Sequence, residues 1–183
     1  INIIEECLSR GYKLIVLTNA MRPMMRFTDK LLEINKKYKN FLTMRVSIDH
    51  FNPAMHEEER GKGTWEPMLK GLTWLSDNDF TIDIAGRTRW NEKEQELREG
   101  YADLFQKHNI KIDAFDKIEL VLFPEMDEEI EVPEITTKCW GILGVQPQDI
   151  MCSNSRMVVK RKGADKPAVI ACTLLPYEEE FEF

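Results

Sequence analysis

The feature that most restricts the fold of this chain is an alternation. Short apolar runs at residues 13–17 (KLIVL), 44–48 (MRVSI), 80–85 (FTIDIA) and 120–123 (LVLF) are separated by segments with helical periodicity. Ile3, Ile4, Cys7 and Leu8 share a helix face that Gly11 ends. Thr28 is expected to cap a helix carrying Leu31, Ile34 and Tyr38, with Phe27 stapled to Leu32. Thr64 is expected to cap another, whose inner face is Trp65, Met68, Leu69, Leu72 and Leu75; Pro67 is tolerated in its first turn. Asn91 with Glu94 forms a capping-box-like start for a helix burying Leu97, Tyr101, Leu104 and Phe105. Strand and helix in alternation predict a parallel α/β sheet with helices packed outside it, either a barrel or an open sheet. The run at 13–17 reads as the buried kind of parallel strand, and 80–85, alternating Phe80, Ile82 and Ile84 against Thr81, Asp83 and Ala85, as a strand with two different faces. Four strands are too few for either form, so missing N-terminal strands are expected to supply the rest.

Length and charge narrow the classes. A chain of 183 residues supports one domain, or one with a small appendage. A net charge of -7 argues against nucleic acid or an anionic membrane as the main partner. There is no signal-peptide pattern and no apolar run long enough for a bilayer. The four cysteines, Cys7, Cys139, Cys152 and Cys172, form no C-x-x-C pair, so a zinc ribbon or thioredoxin-type motif is absent and reduced thiols in a cytoplasmic setting are the expectation. The start at Ile1 without methionine and the end in EEEFEF lead us to expect a piece of a longer protein.

The richest stretch is 44–65, MRVSIDHFNPAMHEEERGKGTW. Its strand ends in a polar knot of Ser47, Asp49 and His50, followed by what reads as an acidic loop and by Arg60-Gly61-Lys62-Gly63. Polar groups at the end of a strand, backed by a glycine loop, are how a parallel barrel presents ligand contacts at one rim. His56-Glu57-Glu58-Glu59-Arg60 stands one residue from the zinc-protease helix motif, but Arg60 occupies the place of the second histidine and the glycines at 61 and 63 argue against a helix. Gly61-Lys62-Gly63 lacks the spacing of a phosphate loop. Ser47 lacks the G-x-S-x-G elbow context, so ligand contact is favoured over nucleophilic catalysis.

After residue 125 the texture changes. EMDEEIEVPEI (125–135) reads as a solvated acidic linker rather than a hard-cation site, because its carboxylates match no known loop spacing. Residues 156–161 and 167–171 are β-like runs joined by KGADK, a hairpin with Cys152 and Cys172 outside it on either side. Those two are either small buried residues at a hairpin base or thiolate ligands of a shared metal; spacing alone favours the first.

Ser47-Ile48-Asp49-His50, then His56, then Arg60-Gly61-Lys62-Gly63-Thr64 resemble the radical S-adenosylmethionine (SAM) enzymes, whose fourth strand often reads "vSlDg" followed by "h...Rg.g.f". Leu17-Thr18-Asn19-Ala20 is similar to that family's third-strand ending "TNG", with alanine in place of glycine. Cys152-x10-Gly163-x8-Cys172 resembles the opening of the SPASM or twitch extension, although the gap after the glycine is longer than usual. The family's C-x-x-x-C-x-x-C triad, which holds the catalytic 4Fe-4S cluster, is not in this sequence, and solitary Cys7 cannot replace it.

The resemblance covers about two-thirds of the chain and implies a partial (β/α)6 barrel over 1–125, a linker over 126–135 and the start of a SPASM/twitch module over 136–183. It implies a full-length enzyme that reductively cleaves SAM to a 5′-deoxyadenosyl radical for peptide modification or cofactor maturation, served by a reductant such as flavodoxin or ferredoxin. This piece alone is expected to be inactive. Ser47 would contact the ribose or carboxylate of SAM; Asn19 and Arg60 would line the same rim; Arg87 and Arg89 would meet the SAM carboxylate or the substrate. Cys152 and Cys172 would bind an auxiliary iron–sulfur cluster. The alternatives are a non-catalytic α/β module binding a small anionic ligand, and a disulfide- or zinc-stapled interaction module at 133–183.

Overall fold

The computed structural model of the protein describes residues 1–88, 92–124, 131, 134, 136–149, 151–171, 177 and 179–182. The chain divides into two compact units, Ile1–Asp127 and Glu128–Phe183.

The first unit alternates α1 (Asn2–Ser9), β1 (Leu14–Thr18), α2 (Arg22–Met25), α3 (Thr28–Tyr38), β2 (Leu42–Ser47), α4 (Pro53–Arg60), α5 (Trp65–Asp77), β3 (Thr81–Thr88), α6 (Glu94–Lys107) and β4 (Leu120–Pro124). The strands form one parallel sheet in the order β1-β2-β3-β4. A sequential order with right-handed crossovers carries every connecting helix to the same face, and the packing follows. Met44, Val46, Ile82, Ile84 and Leu120 are buried together with Leu8, Leu31, Ile34, Met68, Leu72, Leu97 and Phe105.

Residues on the other face alternate with these. Leu17, Arg45 and Asp83 stand in register across three strands, as do Ser47 and Ala85 one pleat further on. The expectation of a buried strand at 13–17 holds for one face only: Leu14 and Val16 pack against the core, whereas Ile15 is 51% and Leu17 71% exposed, because β1 is at the edge of the sheet with its helix-free face open.

Several local expectations need correcting. The stretch 53–60, read as an acidic loop, is helix α4. Asn52 Oδ1 accepts the N–H groups of Ala54 and Met55, Pro53 takes the first position, and Gly61 at φ 93° ends the helix rather than preventing it. Thr28 does not cap α3; it is the first helical residue, after Phe27. The Thr64 hydroxyl donates to Gly61 O, and Glu57 Oε1 instead accepts from Gly63 N and Trp65 N at the start of α5. The Asn91 capping box lies outside the described residues.

One close approach fixes the first crossover. Ala20 is fully buried with φ 55°, and a Cβ at Gly71 of α5 would stand 1.7 Å from the Ala20 carbonyl oxygen. Only glycine lets the two backbones meet there.

The second unit contains α7 (Lys138–Leu143), α8 (Met151–Asn154), and β5 (Met157–Val159) paired antiparallel with β6 (Ala168–Ile170). The hairpin read from 156–171 is thus present, with Gly163 at φ 84° in its connection. The acidic stretch 126–135, apart from Glu131 and Glu134, lies outside the described residues.

Candidate functional site

At the C-terminal ends of the parallel strands a cavity of about 350 Å³ is lined by Leu17, Ser47, Asp49, Arg60, Ala85, Gly86, Arg87, Phe123 and Pro124. Three sequence-predicted residues, Ser47, Arg60 and Arg87, meet here. The residue that organises them is Asp49, which follows β2 and is 3% exposed. Its carboxylate accepts a two-point contact from Arg60, Nε to Oδ2 at 2.6 Å and Nη2 to Oδ1 at 3.0 Å. Arg87 Nε lies 3.5 Å from Oδ1, and Arg87 Nη1 lies 3.9 Å from Glu59. Arg60 is therefore committed to Asp49, while Arg87, 46% exposed, is held only at long range. Arg87 also fixes the turn through its backbone, donating N–H to Asp49 O at 3.1 Å. The Ser47 hydroxyl is half-buried beside them, and Leu17 and Phe123 form apolar walls.

His50 is turned away from this cavity. Its Nδ1 accepts from Asn52 N at 2.8 Å, so the proton sits on Nε2, which donates to Glu92 Oε2 at 2.8 Å. Its ring lies against Phe51, and Phe51 meets Tyr101 edge-on. The Tyr101 hydroxyl donates to Ile48 O at 2.7 Å, and burial pushes its ionisation far above the ordinary phenol range. This packing anchors the strand end that presents Asp49. His56 is buried in α4 against Trp65 with Nδ1 unpartnered, and burial lowers its pKa. It cannot serve a zinc-protease helix, because the second ligand position is Arg60, tied to Asp49.

Asn19 does not line the cavity. Its Oδ1 accepts from Met21 N at 3.1 Å and shapes the turn after β1. The alanine that departs from the "TNG" pattern, Ala20, occupies the left-handed region where glycine is easiest to place. Arg89, Cys172 and the Cys152 side chain lie outside the described residues. Among the described residues no group of three or more His, Cys, Asp or Glu side chains could hold a metal ion. No helix among them is long and apolar enough to cross a membrane.

The signal that sequence reading missed is the Asp49–Arg60 pair. The two residues bracket α4, so an aspartate after a strand and an arginine at the end of the next helix could have been matched had 53–60 been read as helix. No family model, curated protein or solved structure matches this chain.

Proposed function

We propose that this chain is the later part of a radical SAM-type barrel, continued by a SPASM/twitch-like module, and that SAM lies over the C-terminal ends of β2 and β3. The observation that carries the reading is the meeting of Ser47, the Asp49–Arg60 pair and Arg87 around one cavity at that rim. Sequential strand order with helices on one face supports a barrel segment over a doubly wound sheet, whose order reverses.

The donors present suit SAM. The Ser47 hydroxyl is placed for a ribose or carboxylate oxygen, and the Arg87 guanidinium for the carboxylate. Arg60 acts through Asp49, holding that carboxylate so that Arg87 stays at the rim. Leu17 and Phe123 offer SAM an apolar wall on one side. A cluster and SAM bound together would supply reductive cleavage; the described residues offer no ligand set for the catalytic cluster. Cys152 and Cys172 are proposed as ligands of an auxiliary cluster.

Titrating the ¹⁵N-labelled chain with S-adenosylhomocysteine tests the rim. The amides of Ser47 and Arg87 should shift, and Ser47→Ala and Arg87→Met should each weaken binding by about tenfold, the worth of one hydrogen bond involving a charged group at the low end. Shifts confined to other surfaces would refute the site. For a version extended at both ends, anaerobic reconstitution with iron and sulfide counting and a SAM-cleavage assay tests the enzyme; neither iron nor cleavage would leave a small-ligand module.

A further inference from the structure

Exposure alternates residue by residue along the hairpin of the second unit. Arg156, Val158 and Lys160 are exposed while Met157 and Val159 are half-buried; on the facing strand Val169 is exposed and Ile170 is buried. Val158 and Val169 stand opposite each other in register, 67% and 38% exposed, and form the apolar centre of an open face. Arg156 and Lys160 flank that centre on the same side of the chain. Lys160 Nζ donates to Ala164 O and, as an ammonium, has further donors to give. Lys162 and Lys166 are exposed in the connection, with Asp165 the one carboxylate between them. In a chain of net charge -7 this is a local excess of positive charge.

The two edges of the hairpin differ. On the β6 side Ile170 forms a bridge with Glu182, Ala171 N donates to Phe181 O at 3.1 Å, and Arg161 pairs with the Glu182 carboxylate. That edge is closed by an acidic residue of the chain itself. On the β5 side no strand pairs with Met157–Val159 among the described residues. An open edge offers backbone donors and acceptors to an extended segment.

The flanking cations select what can pair there. A second copy of β5 would bring like charges opposite each other, which destabilises cross-strand pairs. Successive side chains of a strand alternate between faces, so the groups opposite Arg156, Val158 and Lys160 occupy every other position of an added strand. A carboxylate, an aliphatic residue and a second carboxylate at those positions would satisfy all three. A nucleic acid fits less well, because the centre of the face is two valines with no aromatic ring for a base to stack on, and the chain as a whole repels a polyanion.

We propose that the open edge of β5 is a docking site for an edge strand of a partner protein carrying that every-other-residue pattern of acid, aliphatic and acid. The site recruits a partner and stands on the second unit alone, independent of the reading of the rim.

The test titrates the ¹⁵N-labelled chain with acetyl-Thr-Glu-Thr-Val-Thr-Glu-Thr-amide. The amides of 157–160 should shift. The permuted peptide acetyl-Thr-Thr-Glu-Val-Glu-Thr-Thr-amide has the same composition and charge but carries its carboxylates on the face away from valine. It should bind about tenfold more weakly, the worth of two opposite-charge cross-strand pairs. Lys160→Glu, its fold checked by its unchanged amide spectrum elsewhere, should weaken the first peptide and recover binding when lysine replaces one of the two peptide glutamates. The end at which lysine rescues gives the direction of the added strand. Unmoved β5 amides overturn the proposal, as does equal binding of the permuted peptide, which would leave only general charge attraction. Tighter binding of oligothymidylate at the same amides would make the face a phosphate-binding surface and also overturn it. Concentration-dependent shifts at β5 without peptide would assign the edge to a second copy and overturn it too.

Discussion

Replacing Gly71 by alanine sets two effects of opposite sign against each other. Gly71 lies inside α5, where helix propensity alone makes alanine better by about 1 kcal/mol. The new Cβ, however, would stand 1.7 Å from Ala20 O and 2.8 Å from the Ala20 carbonyl carbon. An ordinary C···O contact needs about 3.3 Å, so the backbones must part by roughly 1.6 Å. Overpacking costs about 1–3 kcal/mol. The upper end applies here, because the obstacle is a backbone carbonyl whose residue is fully buried and already at φ 55°. Subtracting the propensity gain leaves a net loss of about 2 kcal/mol, or about 6–10 °C in Tm for a unit of this size. Thermal and urea unfolding measure it. Gly141→Ala is the control: it is also helical, nothing lies within 4 Å of its Cβ position, and amide exchange over 138–143 should slow. A Gly71→Ala protein as stable as wild type would refute the close backbone packing of α5 on the turn after β1.

Two further outcomes follow from buried polar groups. Arg98, 6% exposed, donates Nη1 to Ala114 O at 2.6 Å and to Leu120 O at 3.3 Å, so Arg98→Met should cost about 2–4 kcal/mol in urea melts through carbonyls left unsatisfied. Burial lowers the His56 pKa below its usual 6.5, so the unfolded chain takes up the proton first. The His56 contribution to stability is thus complete above pH 6.5 and lost as pH falls through the folded value; His56→Phe should flatten that part of the stability–pH curve, and an unchanged slope would contradict it.

The sheet was legible because each strand is a short apolar run and each long helix has a clear stripe. What stayed hidden were features set by single polar atoms. The charged run HEEER obscured α4, although Asn52-Pro53 is a helix start in its own right. Thr64 looked like a cap, yet a glutamate six and eight residues before its bonded partners supplies the acceptor. Asn19 and Ser47 both end strands, but only Ser47 reaches the cavity, because the Asn19 oxygen is spent on its own turn. Exposure of β1 could not be read from KLIVL, since edge position is a property of the assembled sheet.

Sequential pairing also has a consequence for assembly. Leu14 pairs with Leu42, Thr43 with Thr81 and Ile84 with Leu120, so each strand's partner is the next one to be synthesised. Among the described strands of this sheet none must wait for a distant segment, and loop-closure entropy is met in separate modest steps. On the ribosome the sheet can grow in one direction, each helix sealing the apolar face of the strands it connects before the next strand emerges.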